Sequence, residues 1–289
     1  MKSDLIKHIE NQINKTLHLK SSFTWQNVSG GSINNAYKLS SKAATFFVKT
    51  NTISTFNNGF KEEVLGLQFL KSNGVTTPKI IVEGAFETEI YLVLSWVENC
   101  CETNEFWQNF AVKLADLHRH NNIYFGLEYD NFMGQLLQKN IFCDNFETFF
   151  IENRLKPQVK LAFDNGLLQT KEMLLFKNLY KQLTNIIPPE KPCAIHGDLW
   201  SGNYISSLNN QVVFIDPAVY YGHREVDLAM SLLFGGFSNT FYTTYNEVFA
   251  LEKGFNKRKD IYNLYPLLIH LNLFGKMYLK SIKTIVSQF

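Results

Sequence analysis

Ala194-Ile195-His196-Gly197-Asp198-Leu199-Trp200-Ser201-Gly202-Asn203 is followed, after a short gap, by Val212-Val213-Phe214-Ile215-Asp216-Pro217. The pair of stretches holds an Asp, an Asn five positions later, and a second Asp closing an apolar run that reads as a buried strand. Val212 to Ile215 are all β-branched or aromatic, which suits a core strand ending in a site. Phosphoryl transfer in a kinase-type fold needs these three groups in this order. A loop Asp accepts the proton of the attacking hydroxyl, and the Asn and the Asp after the strand hold the magnesium ions that bridge the phosphates. His-Gly-Asp alone occurs by chance in surface turns; the spacing, the second Asp and the strand between them carry the reading. The chain is therefore expected to be an ATP-dependent kinase, with Asp198 as base and Asn203 and Asp216 as ligands of Mg2+.

A chain of 289 residues suits one large domain or two packed lobes. Its 45% hydrophobic and 19% charged residues are those of an ordinary globular protein, and the 25 Phe are expected to fill a core. The net charge is only +2, with no long run of like charge. A nucleic-acid partner would leave a concentrated basic face, so none is expected. Cys100, Cys101, Cys143 and Cys193 show no C-x-x-C spacing and read as reduced thiols. The first ten residues are charged at helical intervals and lack the apolar region of a signal peptide. No stretch approaches the ~18 to 20 apolar residues of a membrane span. A cytoplasmic protein, not bound to a membrane, is expected; monomer and homodimer both stay open.

Along the chain, residues 4–18 read as an amphipathic helix with Leu5, Ile9 and Ile13 on one side. Residues 23–28 and 33–39 read as strands joined by a glycine loop, and 45–50 as a third strand. Residues 60–70 carry Val64, Leu67 and Leu70 at helical spacing, and Thr77-Pro78 breaks the chain before strand-like runs at 79–83 and 90–94. Beyond Trp96 helical patterns dominate, at 106–118, 146–162, 171–183 and from Leu251 onward. The order is a small β-rich half (residues 1–95) and a larger helical half (residues 96–289), which predicts an α+β chain with one cleft between two packed lobes.

Lys49 ends the apolar run 44–49, where its ammonium can face the phosphates of a nucleotide. Glu63, on the following helix, is placed to orient it; Glu62 is the neighbouring alternative, about a third of a turn away. Gly30, Gly31 and Ser32 lie between the first two strands. Glycines there let backbone N–H groups approach phosphate oxygens, although a plain hairpin turn would have the same composition. The segment 221–230 is densely charged yet flanked by apolar sequence. Asp227 reads as a structural brace for the loop around His196; His223, Arg224 and Glu225 either line the acceptor side of the cleft or serve only as internal salt bridges. His270 interrupts an apolar helix, as a hydrogen-bonded core histidine or a ligand contact. Trp200, two residues after Asp198, offers a flat face to a sugar or a base.

The strings HGDLWSGN (196–203), IDPAVYYGHREVDLAMSLLFGGF (215–237) and LIHLNLFGKMY (268–278) resemble the fructosamine kinase, or ketosamine-3-kinase, family. GGSINNAYKL (30–39) resembles its nucleotide loop; FGLEYDNFMGQLLQKN (125–140) and ENRLKPQVKLA (152–162) resemble its helical lobe. The likeness runs nearly end to end. It implies a bilobal, protein-kinase-like fold and ATP-dependent phosphorylation of a ketosamine hydroxyl, typically O3 of a fructose or ribulose joined to an amine, on a free metabolite or a glycated lysine. Such phosphorylation makes the adduct labile, a deglycation role. Carried onto this chain, it makes Asp198 the base, Asn203 and Asp216 the magnesium ligands, and Lys49 with Glu63 the phosphate-positioning pair. Trp200 and His270 match positions near the sugar, and Leu94, Ser95, Trp96 and Val97 form the hinge that meets adenine. The chain has Ser32 where members from higher organisms often carry a cysteine, so redox control through that loop is not expected. Residues 51–59 and Cys100-Cys101-Glu102 are less typical of the family. The rivals are a kinase for an aminoglycoside or a choline-like amine, and a nucleotide-binding pseudokinase scaffold.

Overall fold

Leu5, Ile9 and Ile13 form a stripe along helix α1 (Ser3–Leu17), and that stripe packs against one face of an antiparallel sheet. The computed structural model describes residues 3–28, 34–54 and 59–289. The sheet is built from β1 (Thr24–Asn27), β2 (Asn35–Ser40) and β3 (Thr45–Thr52), then, after α2 (Lys61–Ser72), from β4 (Ile80–Phe86) and β5 (Glu89–Ser95). Its strand order is β1-β2-β3-β5-β4. Side chains alternate between its faces. Phe46 and Val48 join Tyr91 and Val93 beneath α1, whereas Phe47 packs with Leu92, Leu94 and Leu67 on the α2 side. That period of two delivers Lys49 to the α2 face.

The connector between the halves is tied at both ends. Ser95 N donates to Lys79 O at 2.8 Å and Trp96 N to Thr45 O at 3.2 Å; at the other end Cys100 N donates to Ser206 O at 2.7 Å.

The second half opens with α3 (Asn104–His118), whose first turn is capped by the Thr103 hydroxyl accepting from Phe106 N at 3.1 Å. A short hairpin follows, β6 (Asn131–Met133) and β7 (Leu136–Gln138). Next come α4 (Phe146–Phe149), a π-helical turn (Phe150–Leu155), α5 (Lys156–Asp164) and α6 (Thr170–Ile186). Strands β8 (Cys193–Ile195) and β11 (Tyr220–Gly222) pair with each other and enclose the hairpin of β9 (Tyr204–Ser207) and β10 (Gln211–Phe214). Helices α7 (Glu225–Leu233), α8 (Asn239–Val248), α9 (Phe255–Tyr262), α10 (Leu264–Phe274) and α11 (Leu279–Val286) complete the chain. Among the described residues no helix is long and apolar enough to cross a membrane.

The helix expected over 146–162 is instead interrupted. Pro157 has no N–H, so it leaves the Asn153 carbonyl without its helical donor, and the Arg154 guanidinium takes that carbonyl at 3.2 Å. The abundant Phe do fill the core. Phe110 of α3 is fully buried, 5.4 Å from the Phe214 ring of β10 and 5.1 Å from Phe241 of α8. Phe110→Ala should cost about 3–5 kcal/mol in chemical denaturation, since it leaves a cavity where three elements meet. A loss under about 1 kcal/mol would show that the site collapses without cost.

Candidate active site

The loop between β8 and β9 carries Asp198, and its shape is set from below. Asp227, fully buried in the first turn of α7, accepts from His196 N at 2.7 Å and from Gly197 N at 2.8 Å. His118 of α3 donates to the same carboxylate through Nε2 at 3.2 Å and receives the Tyr245 hydroxyl on Nδ1 at 2.7 Å. Gly197 is required twice over. Its φ is +82°, and a Cβ there would stand 2.0 Å from the Ala218 carbonyl oxygen. The His196 ring is buried, with Nδ1 accepting from Asp198 N at 3.3 Å and Nε2–H donating to Ile215 O at 3.0 Å. Burial pushes its pKa below the ordinary value, which keeps the ring neutral in that role.

Asn203, nearly buried, closes the loop by donating to Asp198 O at 2.8 Å and to Asp198 Oδ2 at 2.9 Å. The Asp198 carboxyl is pushed up to about 7, by burial first and then by the charges of Asp216 and Asp227, against the lowering effect of the Asn203 amide. Asp216 follows β10 with φ 51°, a left-handed conformation that costs a non-glycine residue roughly 1–2 kcal/mol. This turn points its carboxylate at Lys49 across the cleft.

Lys49 Nζ donates to Glu63 Oε1 of α2 at 2.9 Å and to Asp216 Oδ1 more closely still. Burial alone would lower the lysine pKa, but the two carboxylates outweigh it and raise it, so the ammonium stays charged. The same ammonium holds Asp216 below the usual range despite burial. Glu63, left with the lesser share of that charge, is pushed up to about 7 by burial. Glu62, the sequence-level alternative, is not Lys49's partner in these bonds. Asp198, Asn203, Asp216, Lys49 and Glu63 thus meet at one place. The acidic and amide groups supply hard oxygen donors of the kind Mg2+ takes.

Beside Asp198 the chain forms an aromatic wall. The Trp200 indole folds over Gly202, where a Cβ would meet the ring at 2.3 Å. Phe234, not singled out among the candidate residues, joins Trp200 at 6.1 Å to His270 at 4.9 Å. His270 Nδ1 bonds Pro266 O at 2.7 Å, and burial lowers the ring pKa.

His223, Arg224 and Glu225 are at most 3% exposed and are committed to internal partners. His223 Nε2 meets Pro188 O at 3.2 Å. Arg224 holds Glu190 at 2.5 Å and the carbonyls of Phe249 and Ala250. Glu225 pairs with Arg258 at 2.8 Å through Nε. Of the two roles the sequence left open, their geometry supports the internal salt bridge; the acceptor-lining role is corrected, because no polar group is left to face a ligand.

Leu94 is a core residue of the sheet, and Ser95 Oγ accepts from Lys79 N at 2.9 Å. Trp96 donates through Nε1 to Glu98 at 2.8 Å, with Lys38 Nζ 4.2 Å above its ring. A cavity of about 320 Å³ lies beside Ser95, Trp96, Val97 and Glu98, bounded by Thr76 and Gln211; none of the five charged or amide groups above lines it. Gly30, Gly31 and Ser32 fall outside the described residues.

A carboxyl whose folded pKa lies above its unfolded value holds its proton more tightly when folded. For Asp198 that contribution to stability is complete below about 3.8 and is lost as pH rises through about 7. Asp198→Asn should therefore melt above the wild type at pH ~8 without ligands, with the gap narrowing as pH falls below about 7 and closing only near 3.8. Equal melting temperatures at the higher pH would show that the carboxylate is not penalised by its surroundings.

The fructosamine kinase family profile matches residues 1–289. A "probable ketoamine kinase" of Enterococcus faecium is 36% identical over 264 residues, covering 91% of this chain and 94% of the relative. A crystal structure from Haemophilus somnus, provisionally named a fructosamine-3-kinase, superposes with TM-score 0.86 at 27% identity, covering 97% of this chain and 96% of the other. An aminoglycoside phosphotransferase with ADP and hygromycin B shares the protein-kinase-like fold, with TM-score 0.65 at 13% identity, covering 99% and 98%. With a β-sheet first half, a helical second half and its whole length matched, the chain belongs to the fructosamine kinase family.

Proposed function

We propose that this chain transfers the γ-phosphoryl group of ATP to a sugar hydroxyl, O3, of a fructosamine- or ribulosamine-type ketosamine. The supporting observation is the convergence of Asp198, held by Asn203 at 2.9 Å, with the Lys49–Asp216 pair reaching across the cleft. Residues 1–95 would form the nucleotide lobe and 96–289 the catalytic and acceptor lobe. Adenine would meet Leu94 to Val97, and the Gly30–Ser32 loop would cover the phosphates.

Asp198 takes the hydroxyl proton as the acceptor oxygen bonds to the γ-phosphorus and the bond to the β–γ bridging oxygen breaks, with ADP leaving. Its raised pKa suits it to accept a proton near neutral pH. Lys49, kept cationic by its carboxylates, exchanges them for phosphate oxygens. Asp216 and Asn203 would hold Mg2+, which when bound neutralises charge on the transferring phosphoryl group. Trp200, with Phe234 and His270 behind it, orients the sugar; holding the acceptor in line supplies much of the acceleration. Phosphorylation at O3 labilises the amine adduct, which makes the activity a deglycation step, placed here in the cytoplasm.

The test is incubation of the purified protein with ATP, Mg2+ and synthetic fructose- and ribulose-linked amines, following ADP release and product mass. One phosphoryl group should be gained on a ketosamine, and Asp198→Ala should lower turnover by several orders of magnitude with ATP affinity nearly intact. ATP binding without turnover of any ketosamine would overturn the substrate assignment and return the aminoglycoside, choline-like and scaffold readings.

A further inference from the structure

The two stretches 125–140 and 152–162 carry no residue of the site, yet their polar side chains end on it. Gln138, 1% exposed on β7, donates through Nε2 to Ala218 O at 3.0 Å and to Asn131 Oδ1 at 2.8 Å. Asn131, on the facing strand β6, donates to Val219 O at 2.8 Å. These two carbonyls follow Asp216-Pro217 directly. The first of them is the oxygen against which Gly197 is packed, while Ala218 N donates to His196 O at 3.0 Å.

Behind the amides stands Arg154, fully buried in the π-helical turn. Its NH2 group donates to Asn140 Oδ1 at 2.7 Å, and Asn140 Nδ2 passes a bond to Asn131 Oδ1 at 3.1 Å. Tyr265 of α10 orients the Gln138 amide by donating to its Oε1 at 3.0 Å. The guanidinium lies 4.0 Å from the Tyr220 ring centroid and 4.5 Å from that of Phe149, so its charge rests on ring faces. The bonds run one way, from cation through two amides to backbone carbonyls, and such chains strengthen one another in a low-dielectric interior. They converge on a segment that needs support. Asp216 sits at φ 51°, and a residue in that region persists only where its neighbours over-determine it.

We propose that Gln138 and Asn131, backed by Arg154 through Asn140, are positioning residues that hold the Asp216–Val219 segment in register with the catalytic loop. The inference rests on the reading of Asp216 as a magnesium ligand. It assigns the β6–β7 hairpin a role in aiming that carboxylate, beyond filling the core.

Gln138→Met keeps the side-chain length and removes both donated bonds; Gln138→Glu keeps the shape and the acceptor for Tyr265 but sets an oxygen against Ala218 O. ADP affinity is measured by calorimetry with and without magnesium, alongside kcat, acceptor KM and melting temperature. In both variants the magnesium-dependent gain in ADP affinity and kcat should fall ~10-fold or more, with metal-free ADP affinity and acceptor KM changed less than ~3-fold. A lowered melting temperature with the magnesium-dependent gain and kcat at wild-type values would reduce the network to a fold-stabilising one and overturn the proposal. Should neither variant fold, Tyr265→Phe removes only the hydroxyl that orients Gln138 and should show the same split at ~2- to 5-fold; wild-type values there overturn it equally. A wild-type protein whose ADP affinity ignored magnesium would instead overturn the metal-holding role of Asp216, and the positioning role with it.

Discussion

The buried carboxylate of Asp227 is the constraint on which the loop carrying Asp198 depends. An ionised group in a dry interior is tolerated only when its oxygens are fully bonded. Here two consecutive backbone N–H groups, of His196 and Gly197, and the His118 ring supply the bonds. Because the donors are backbone, the carboxylate dictates the path of the chain and not merely the pose of a side chain. That path forces Gly197 against Ala218 and sets His196 against Ile215, so that the loop after β8 is locked to the segment after β10.

Above this brace the charges do not balance. Glu63 and Asp216 share one lysine, while Asp198 has only the Asn203 amide, with Asp227 close below. Glu63 and Asp198 respond by holding protons to about 7, whereas Asp216, in the closer contact with the ammonium, is held below the usual range. An excess of acid over base is a liability for the empty protein and suits a site that receives cations together with phosphate. Stability given up at the place of chemistry is a common trade.

How much was legible in the sequence follows from distance along the chain. Asp198, Asn203 and Asp216 stand in one short stretch, so their spacing could be read directly. The Lys49–Glu63 pair was legible because a strand and the helix after it have distinct periods. His223, Arg224 and Glu225 stayed open between two roles because a charged cluster flanked by apolar sequence reads as a binding surface or as internal salt bridges. Their partners Glu190 and Arg258 lie 34 and 33 positions away, where no pattern links them. Phe234 was hidden among many Phe. Gln138 and Asn131 were invisible for another reason: strands of three residues show no alternation, and neutral amides look like surface. The helix expected across 146–162 overlooked what Pro157 does to the turn before it. The Gly30–Ser32 expectation lies outside the described residues.

The Lys49–Asp216 contact joins residues 167 positions apart, whereas Asp198 meets Asn203 across five. Closing a long loop costs more chain entropy than closing a short one, and distant pairings form late for that reason. The loop carrying Asp198, the Asp216 turn and the bracing Asp227 all fall within the stretch from β8 to the first turn of α7, so their mutual contacts are short-range. Lys49 must be brought to them by the docking of a separately built sheet. Chain entropy thus divides the site in two: the part around Asp198 is closed by short-range contacts, and Lys49 joins it only through contacts that bring distant parts of the chain together.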